Sequence, residues 1–143
     1  MKLAIVVDKT ITDYAILKQA IKQSGFKNIT EIVSGGAKGV DALATKYAKD
    51  NNLKLTEFLA KWEDITRKGA DIKVNQFGKP YDRLAGFIRN EFIVDYSDAV
   101  IAIQKFGEPS PGTQNTIKLA KEKNVEIYIY EIKSENSDFE YKF

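Results

Sequence analysis

Residues 29–51 read ITEIVSGGAKGVDALATKYAKDN. A short apolar run, ITEIV, leads into SGGAKGVD at 34–41 and then into a stretch of helical character. Gly35, Gly36 and Gly39 therefore stand where a strand hands over to a helix. Glycine lacks a Cβ, so it admits positive φ and lets another group approach the backbone. Successive N–H groups at such a turn form a concave anion site, and the following helix N-terminus adds a favourable dipole. That dipole is worth only about 0.3–2 kcal/mol, so several hydrogen bonds must join it before a phosphate is held. Lys38 can supply charge, and Asp41 can cap the helix or bond a ribose hydroxyl. A tight turn capped by Asp41, with no ligand, accounts for the same residues equally well. The spacing is neither a Walker loop nor a GxGxxG fingerprint.

Around this junction the chain alternates strand and helix. KLAIVV at 2–7 is a continuous apolar run, as in a strand buried on both faces. Thr12 or Asp13 can cap a helix that carries Tyr14, Leu17, Ala20 and Ile21 on one face and stops at Gly25. Strands are expected at 30–34, 53–59, 98–104 and 125–132, and helices at 38–51, 83–97 and 114–124. Residues 60–82 hold Trp62, glycines and Pro80 and read as a long loop or small insertion. Alternation of this kind implies right-handed parallel crossovers. The expected fold is α/β: a Rossmann-like, doubly wound, mostly parallel five-stranded sheet with helices on both faces. One domain spans 1–132, with 63–82 as a loop or insertion and 133–143 as a polar tail. Ligands in such folds bind beyond the carboxyl ends of the strands, where the strand order reverses.

Composition narrows the chemistry. The chain has 143 residues, 22 basic and 20 acidic, for a net charge of +2. That balance does not argue for nucleic acid or an anionic membrane. There is no cysteine and no histidine, which removes thiolate chemistry, the usual general base and the commonest metal ligand. Only a carboxylate–phosphate Mg²⁺ site remains open, and neither a metal nor a cofactor is expected. Apolar runs fall far short of the roughly 20 residues needed to cross a bilayer. A cytoplasmic protein without membrane contact is expected.

Two further stretches offer ligand chemistry. EPSPGT at 108–113 also joins a strand to a helix, with Gly112 and the hydroxyls of Ser110 and Thr113. Arg89, followed by Asn90, can make a bidentate contact to phosphate or carboxylate; a solvated helix face is the alternative for a single arginine. Trp62 can stack a base or close the edge of the core.

Three stretches together carry a family resemblance: IVSGGAKGVDALATKYAKDNNLKLTEFLAKW, AGFIRNEFIVDYSDAVIAI and SPGTQNTIKLAKEKNVEIYIY. In this order, GGAxGxD, AGxxRN and SxGT resemble the SLOG superfamily, and within it the YspA-like branch of small single-domain proteins. The superfamily also holds DNA-processing protein A and the LOG (lysine-decarboxylase-like) phosphoribohydrolases. The resemblance implies a Rossmann-like sheet whose glycine-rich loops bind nucleotides or nucleotide-derived ligands. Carried over, the ligand residues are Ser34, Gly35, Gly36, Ala37, Gly39 and Asp41; Arg89 and Asn90; and Ser110, Gly112 and Thr113. The branch's first strand usually ends in a G-S-R-like turn; here the positions are Val7, Asp8 and Lys9. Lys9 can replace the arginine's charge, while Asp8 adds a negative one. The LOG pattern PGGxGTxxE supplies a glutamate for N-glycosidic cleavage, whereas Gln114, Asn115 and Thr116 follow Thr113 here.

Three functions follow. The first is binding of a nucleotide-derived small molecule, as sensor or sequestering agent. A narrower form is a phage-type sponge for an immune signal, which no residue compels. The second is hydrolysis or transfer at an N-glycosidic bond, with Asp8, Asp41, Glu91 and Glu108 as carboxylates beside Arg89. The third is single-stranded nucleic acid binding along Lys38, Lys61, Arg67, Lys68, Lys73, Lys79 and Arg83, with Trp62 and Phe77 as platforms. No catalytic residue is assigned. Phe87, Ile88, Phe92, Ile93 and Val94 lie around much of one helix's circumference, which suggests a homodimer; packing of that helix against the sheet is the alternative.

Overall fold

A computed structural model describes residues 1–35 and 41–133. Its elements in chain order are β1 (Lys2–Val7), α1 (Tyr14–Ser24), β2 (Glu31–Ser34), α2 (Asp41–Asp50), β3 (Lys54–Glu57), β4 (Ile72–Val74), β5 (Pro80–Asp82), α3 (Ala85–Tyr96), β6 (Ala99–Lys105), α4 (Pro111–Glu122) and β7 (Glu126–Ile132). Five strands form one sheet in the order β3-β2-β1-β6-β7, and every pairing in it is parallel. The expected doubly wound α/β fold is the one observed. β4 and β5 form a separate antiparallel pair within residues 60–82, the stretch whose sequence reads as a long loop or small insertion.

Strand alternation distributes the core. Leu3 and Ile5 of β1, Ile32 of β2 and Ile101 and Ile103 of β6 pack with Leu17, Ile21, Leu43 and Ala48 of α1 and α2. Their sequence neighbours Ala4, Val33 and Val100 pack with Ile93, Val94 and Ala120 of α3 and α4. Side chains one residue apart point to opposite faces of a strand, so a strand covered on both sides must be apolar throughout. That is why β1 and β6 read as unbroken apolar runs. Each large side chain buried this way contributes about 1.5–3 kcal/mol, which outweighs the few tenths by which helix propensities differ.

Local signals set the helix ends. The Asp13 side chain accepts a hydrogen bond from the Ala15 N–H at 2.9 Å, and Gly25 closes α1 in the left-handed region at φ 73°. α4 begins earlier than its glycine and proline suggested. Ser110 is its cap and Pro111 lies in its first turn, where a missing N–H costs nothing. Gly112 and Thr113 are therefore helical.

The insertion is tied to the domain by one buried carboxylate. Asp82 is 1% exposed. It accepts Nε of Arg67 at 2.8 Å and the backbone N–H groups of Leu84 at 3.0 Å and Asp71 at 3.1 Å. These donors, Arg67 foremost, hold its pKa down at about 2. The Asp82 N–H in turn donates to the Trp62 carbonyl at 2.8 Å. No helix among the described residues is long and apolar enough to cross a membrane.

Candidate functional site

The switch in strand order falls between β1 and β6. β1 pairs with β2 on one side and β6 on the other. Chain leaving β1 enters α1 on one face, whereas chain leaving β6 enters α4 on the opposite face. The two connections diverge and leave a cleft of about 290 Å³. Its apolar floor comes from Ile5, Val6, Val7 and Ile93. Its polar walls are Lys9, Gly35, Arg89, Asn90 and the first turn of α4 from Ser110 to Thr113.

A single chain of hydrogen bonds joins the three motifs. The Arg89 guanidinium donates through Nη1 to the Gly35 carbonyl at 2.8 Å and through Nε to Oδ1 of Asn90 at 3.0 Å. Asn90, 4% exposed, donates through Nδ2 to Oδ1 of Asn115 at 3.0 Å and to the Gly112 carbonyl at 3.3 Å. The exits of β2 and β6 are thus fixed to each other through α3. Asn90 shares the buried side of α3 with Ile93 and Val94. It orients Arg89 and the first turn of α4.

The glycines of this chain have different reasons to be glycine. A Cβ built on Gly35 would lie 2.8 Å from Arg89 Cζ and closer still to Nη1. The guanidinium occupies the space a side chain would need. At Gly112 a Cβ would meet nothing within 4 Å, and φ there is not positive. Gly112 lines the cleft, and a side chain there would have open space around it.

Ser110 and Thr113 spend much of their capacity on the helix cap. Ser110 Oγ accepts the Thr113 N–H at 3.4 Å and donates to Thr113 Oγ1 at 2.8 Å. Pro111 has no N–H, and those of Thr113 and Gln114 are taken by Ser110, so the Gly112 N–H is what the positive end of α4 offers the cleft. Ser34 is fully buried, and its carbonyl accepts the Phe58 N–H at 2.9 Å.

Charge in the cleft is one-sided. Among the described residues, its lining holds two cations, Lys9 and Arg89, and no carboxylate. Asp8 is buried in the turn out of β1. Its Oδ1 accepts the Thr10 N–H at 2.9 Å and the Thr10 hydroxyl at 2.7 Å. The three residues that follow Thr113, where the LOG pattern runs on to its glutamate, are each engaged in hydrogen bonds within the protein. Gln114 donates to Gln104 Oε1 at 2.6 Å, Asn115 accepts from Asn90, and Thr116 donates to the Gly112 carbonyl at 3.2 Å.

Other expected site residues lie elsewhere. Trp62 packs edge-on against Tyr81, ring centroids 6.4 Å apart, and across Gly86 at the start of α3. It is not among the residues that line the cleft. Gly36, Ala37, Lys38 and Gly39 lie outside the described residues, as does the side chain of Asp41. Of the residues that reading by motif missed, the β1 floor and Ile93 carry no signal beyond being apolar. In the sequence, Asn115 reads only as the absence of a carboxylate.

Fold and cleft together define a Rossmann-like α/β domain with a cleft at its switch point lined by Lys9 and Arg89. The model of YAcAr, the YspA, cpYpsA-related SLOG family, matches residues 1–64. The resemblance read from SGGAKGVD is thereby shown over that part of the chain. The Arg89–Asn90 and Ser110–Thr113 stretches lie beyond the matched residues. Among solved structures, the chain is similar to DNA processing protein A (DprA) from Streptococcus pneumoniae, with a TM-score of 0.61 and 20% identity. The likeness covers 90% of this chain and 49% of that one, so the chain spans about half the length of that protein. At this identity the likeness speaks for the fold. No curated protein matches the chain.

Proposed function

We propose that the chain binds the anionic part of a nucleotide-derived small molecule in the switch-point cleft, as a sensor or sequestering protein. The observation that carries this reading is the cleft's one-sided charge. Lys9, Arg89 and the first turn of α4 converge there, and no carboxylate lines it among the described residues. A charge-assisted hydrogen bond contributes about 1.5–3 kcal/mol, so two or three give about 3–9 kcal/mol, and the rest of the ligand must offset the cost of association before binding reaches the micromolar range.

Glycosidic cleavage of the LOG type is the weaker alternative, because a pair of carboxylates commonly serves that chemistry and Gln114, Asn115 and Thr116 are engaged elsewhere. Base release from nucleoside monophosphates that is lost in Asp41→Asn or Glu91→Gln would favour it. Nucleic acid binding takes its support from the name of the DNA-processing neighbour. Against it, Arg67 and Arg83 of the expected basic groove are paired with Asp82 and Asp71. Homodimerisation would use the exposed rings of α3, and light scattering that gives only the 16.1 kDa monomer removes it.

Isothermal calorimetry with nucleotides, ADP-ribose, NAD and cyclic oligonucleotides tests the main reading, with Gly112→Leu as control. Binding by the parent and none by Gly112→Leu is expected. No binding of any of them near a millimolar concentration contradicts it.

A further inference from the structure

The cleft is small for a whole nucleotide. At about 290 Å³ it sits at the lower edge of small-molecule sites, which run from about 300 to 1,000 Å³. A second compartment of about 900 Å³ adjoins it, between the exit of β3, the insertion and α3. Arg89 lines both, so the guanidinium is their shared wall.

The second compartment differs in chemistry from the first. Phe58, Leu59, Ile88 and Phe92 give it an apolar lining. Phe58 and Phe92 lie nearly parallel, 13° between planes and 6.4 Å between centroids. Phe58 also makes a T-shaped contact with Tyr96, with centroids 5.4 Å apart. Phe92 is 58% exposed and Leu59 65% exposed, an unusual outlay of apolar surface around one cavity. The opposite wall is rigid, because Asp82 is saturated by Arg67, Asp71 and Leu84. Glu57, exposed at the end of β3, stands at the rim with Lys61 and can accept a ribose hydroxyl or an exocyclic amine.

We propose that the ligand is bipartite: its phosphate lies in the switch-point cleft, and its heterocyclic base lies across Arg89 in the Phe58–Leu59–Phe92 compartment. This rests on the anion-binding reading above and adds the class of ligand, a nucleotide whose base is held by stacking. An anion with no aromatic body uses half of the site. The insertion, by forming one wall, sets which bases fit.

Calorimetry on the full chain with ribose 5-phosphate and the four common ribonucleoside 5′-monophosphates tests this. Stacking of a base on an aromatic side chain is worth about 1–3 kcal/mol, so at least one nucleotide is expected to bind about fivefold or more tighter than ribose 5-phosphate. Phe92→Ala is expected to bring that ratio near one and leave ribose 5-phosphate affinity unchanged. Phe92→Tyr, which keeps the ring, is expected to keep the ratio, and Leu59→Ser, at a more exposed position, to lower it. Equal affinity for ribose 5-phosphate and every nucleotide overturns the bipartite site and leaves the anion site standing. So does a ratio that survives Phe92→Ala, or a ribose 5-phosphate affinity that falls with it. No binding of ribose 5-phosphate or any nucleotide overturns both.

Discussion

The exits of β2 and β6 both end in a glycine that borders the same cleft, yet the two positions are built in opposite ways. At Gly35 the missing side chain is replaced by the guanidinium of Arg89, whose Nη1 lies 2.8 Å from the Gly35 carbonyl. At Gly112 the missing side chain is replaced by nothing within 4 Å. One glycine seats a cation; the other preserves a space. The same residue type in two similar junctions thus serves electrostatics at one and access at the other.

Filling the open exit should give the largest effect. Gly112→Leu extends a side chain into the cleft, in a helical position with no backbone strain. Ligand binding should disappear in calorimetry while circular dichroism and thermal unfolding stay close to the parent. Unchanged binding would mean that the space beside Gly112 is not the site. Removing the cation comes next. Arg89→Ala should weaken an anionic ligand by about ten- to a hundredfold, the equivalent of one charged hydrogen-bonding group. The dependence of affinity on salt should flatten as well. Crowding the other exit should cost less. Gly35→Ala forces the end of a flexible side chain to move, so the fold should survive and affinity should fall about tenfold. An effect at Gly35 as complete as that of Gly112→Leu would erase the distinction between the exits.

The insertion supplies a control that should leave both exits alone. Asp82 holds its charge down to about pH 2 in the folded chain, against an ordinary value of 3.8. Its contribution is therefore fully present above about pH 4 and is lost as the pH falls through about 2. Trp62 is the single tryptophan, and its carbonyl accepts the Asp82 N–H. Its fluorescence should change between pH 4 and 2, and Asp82→Asn should remove that step. The smallest effect returns to the open exit. Gly112→Ala should raise stability by about 0.5 kcal/mol, since alanine is the better helix former, and should slightly weaken binding. A gain in stability with a loss of affinity would mark Gly112 as kept for the cleft.

Much of this was legible in the sequence because the strands are covered on both faces and show it as unbroken apolar runs. The glycine junctions could be placed from the same pattern. The start of α4 was not, because Pro111 and Gly112 read as breakers, although proline in a first helical turn is favourable. The β4–β5 pair was missed because three-residue strands with exposed Ile72 and Val74 leave no periodic signature. The role of Asn90 was out of reach for a different reason. An amide's partners are chosen by tertiary packing, and Arg89, Gly112 and Asn115 converge on it only once α3 and α4 lie side by side. Likewise, Asp8 reads as a charge beside the site, and only the turn to Thr10 shows it folded away.

The central claim is that an anion sits between the two exits. The most direct measurement is a titration of isotope-labelled protein with ribose 5-phosphate, followed by the backbone amide resonances. The account predicts that the largest and saturable shifts fall on Gly35, Gly112 and Thr113. Shifts confined to the β4–β5 hairpin or to the far ends of the strands, or no shift up to millimolar concentration, would contradict it.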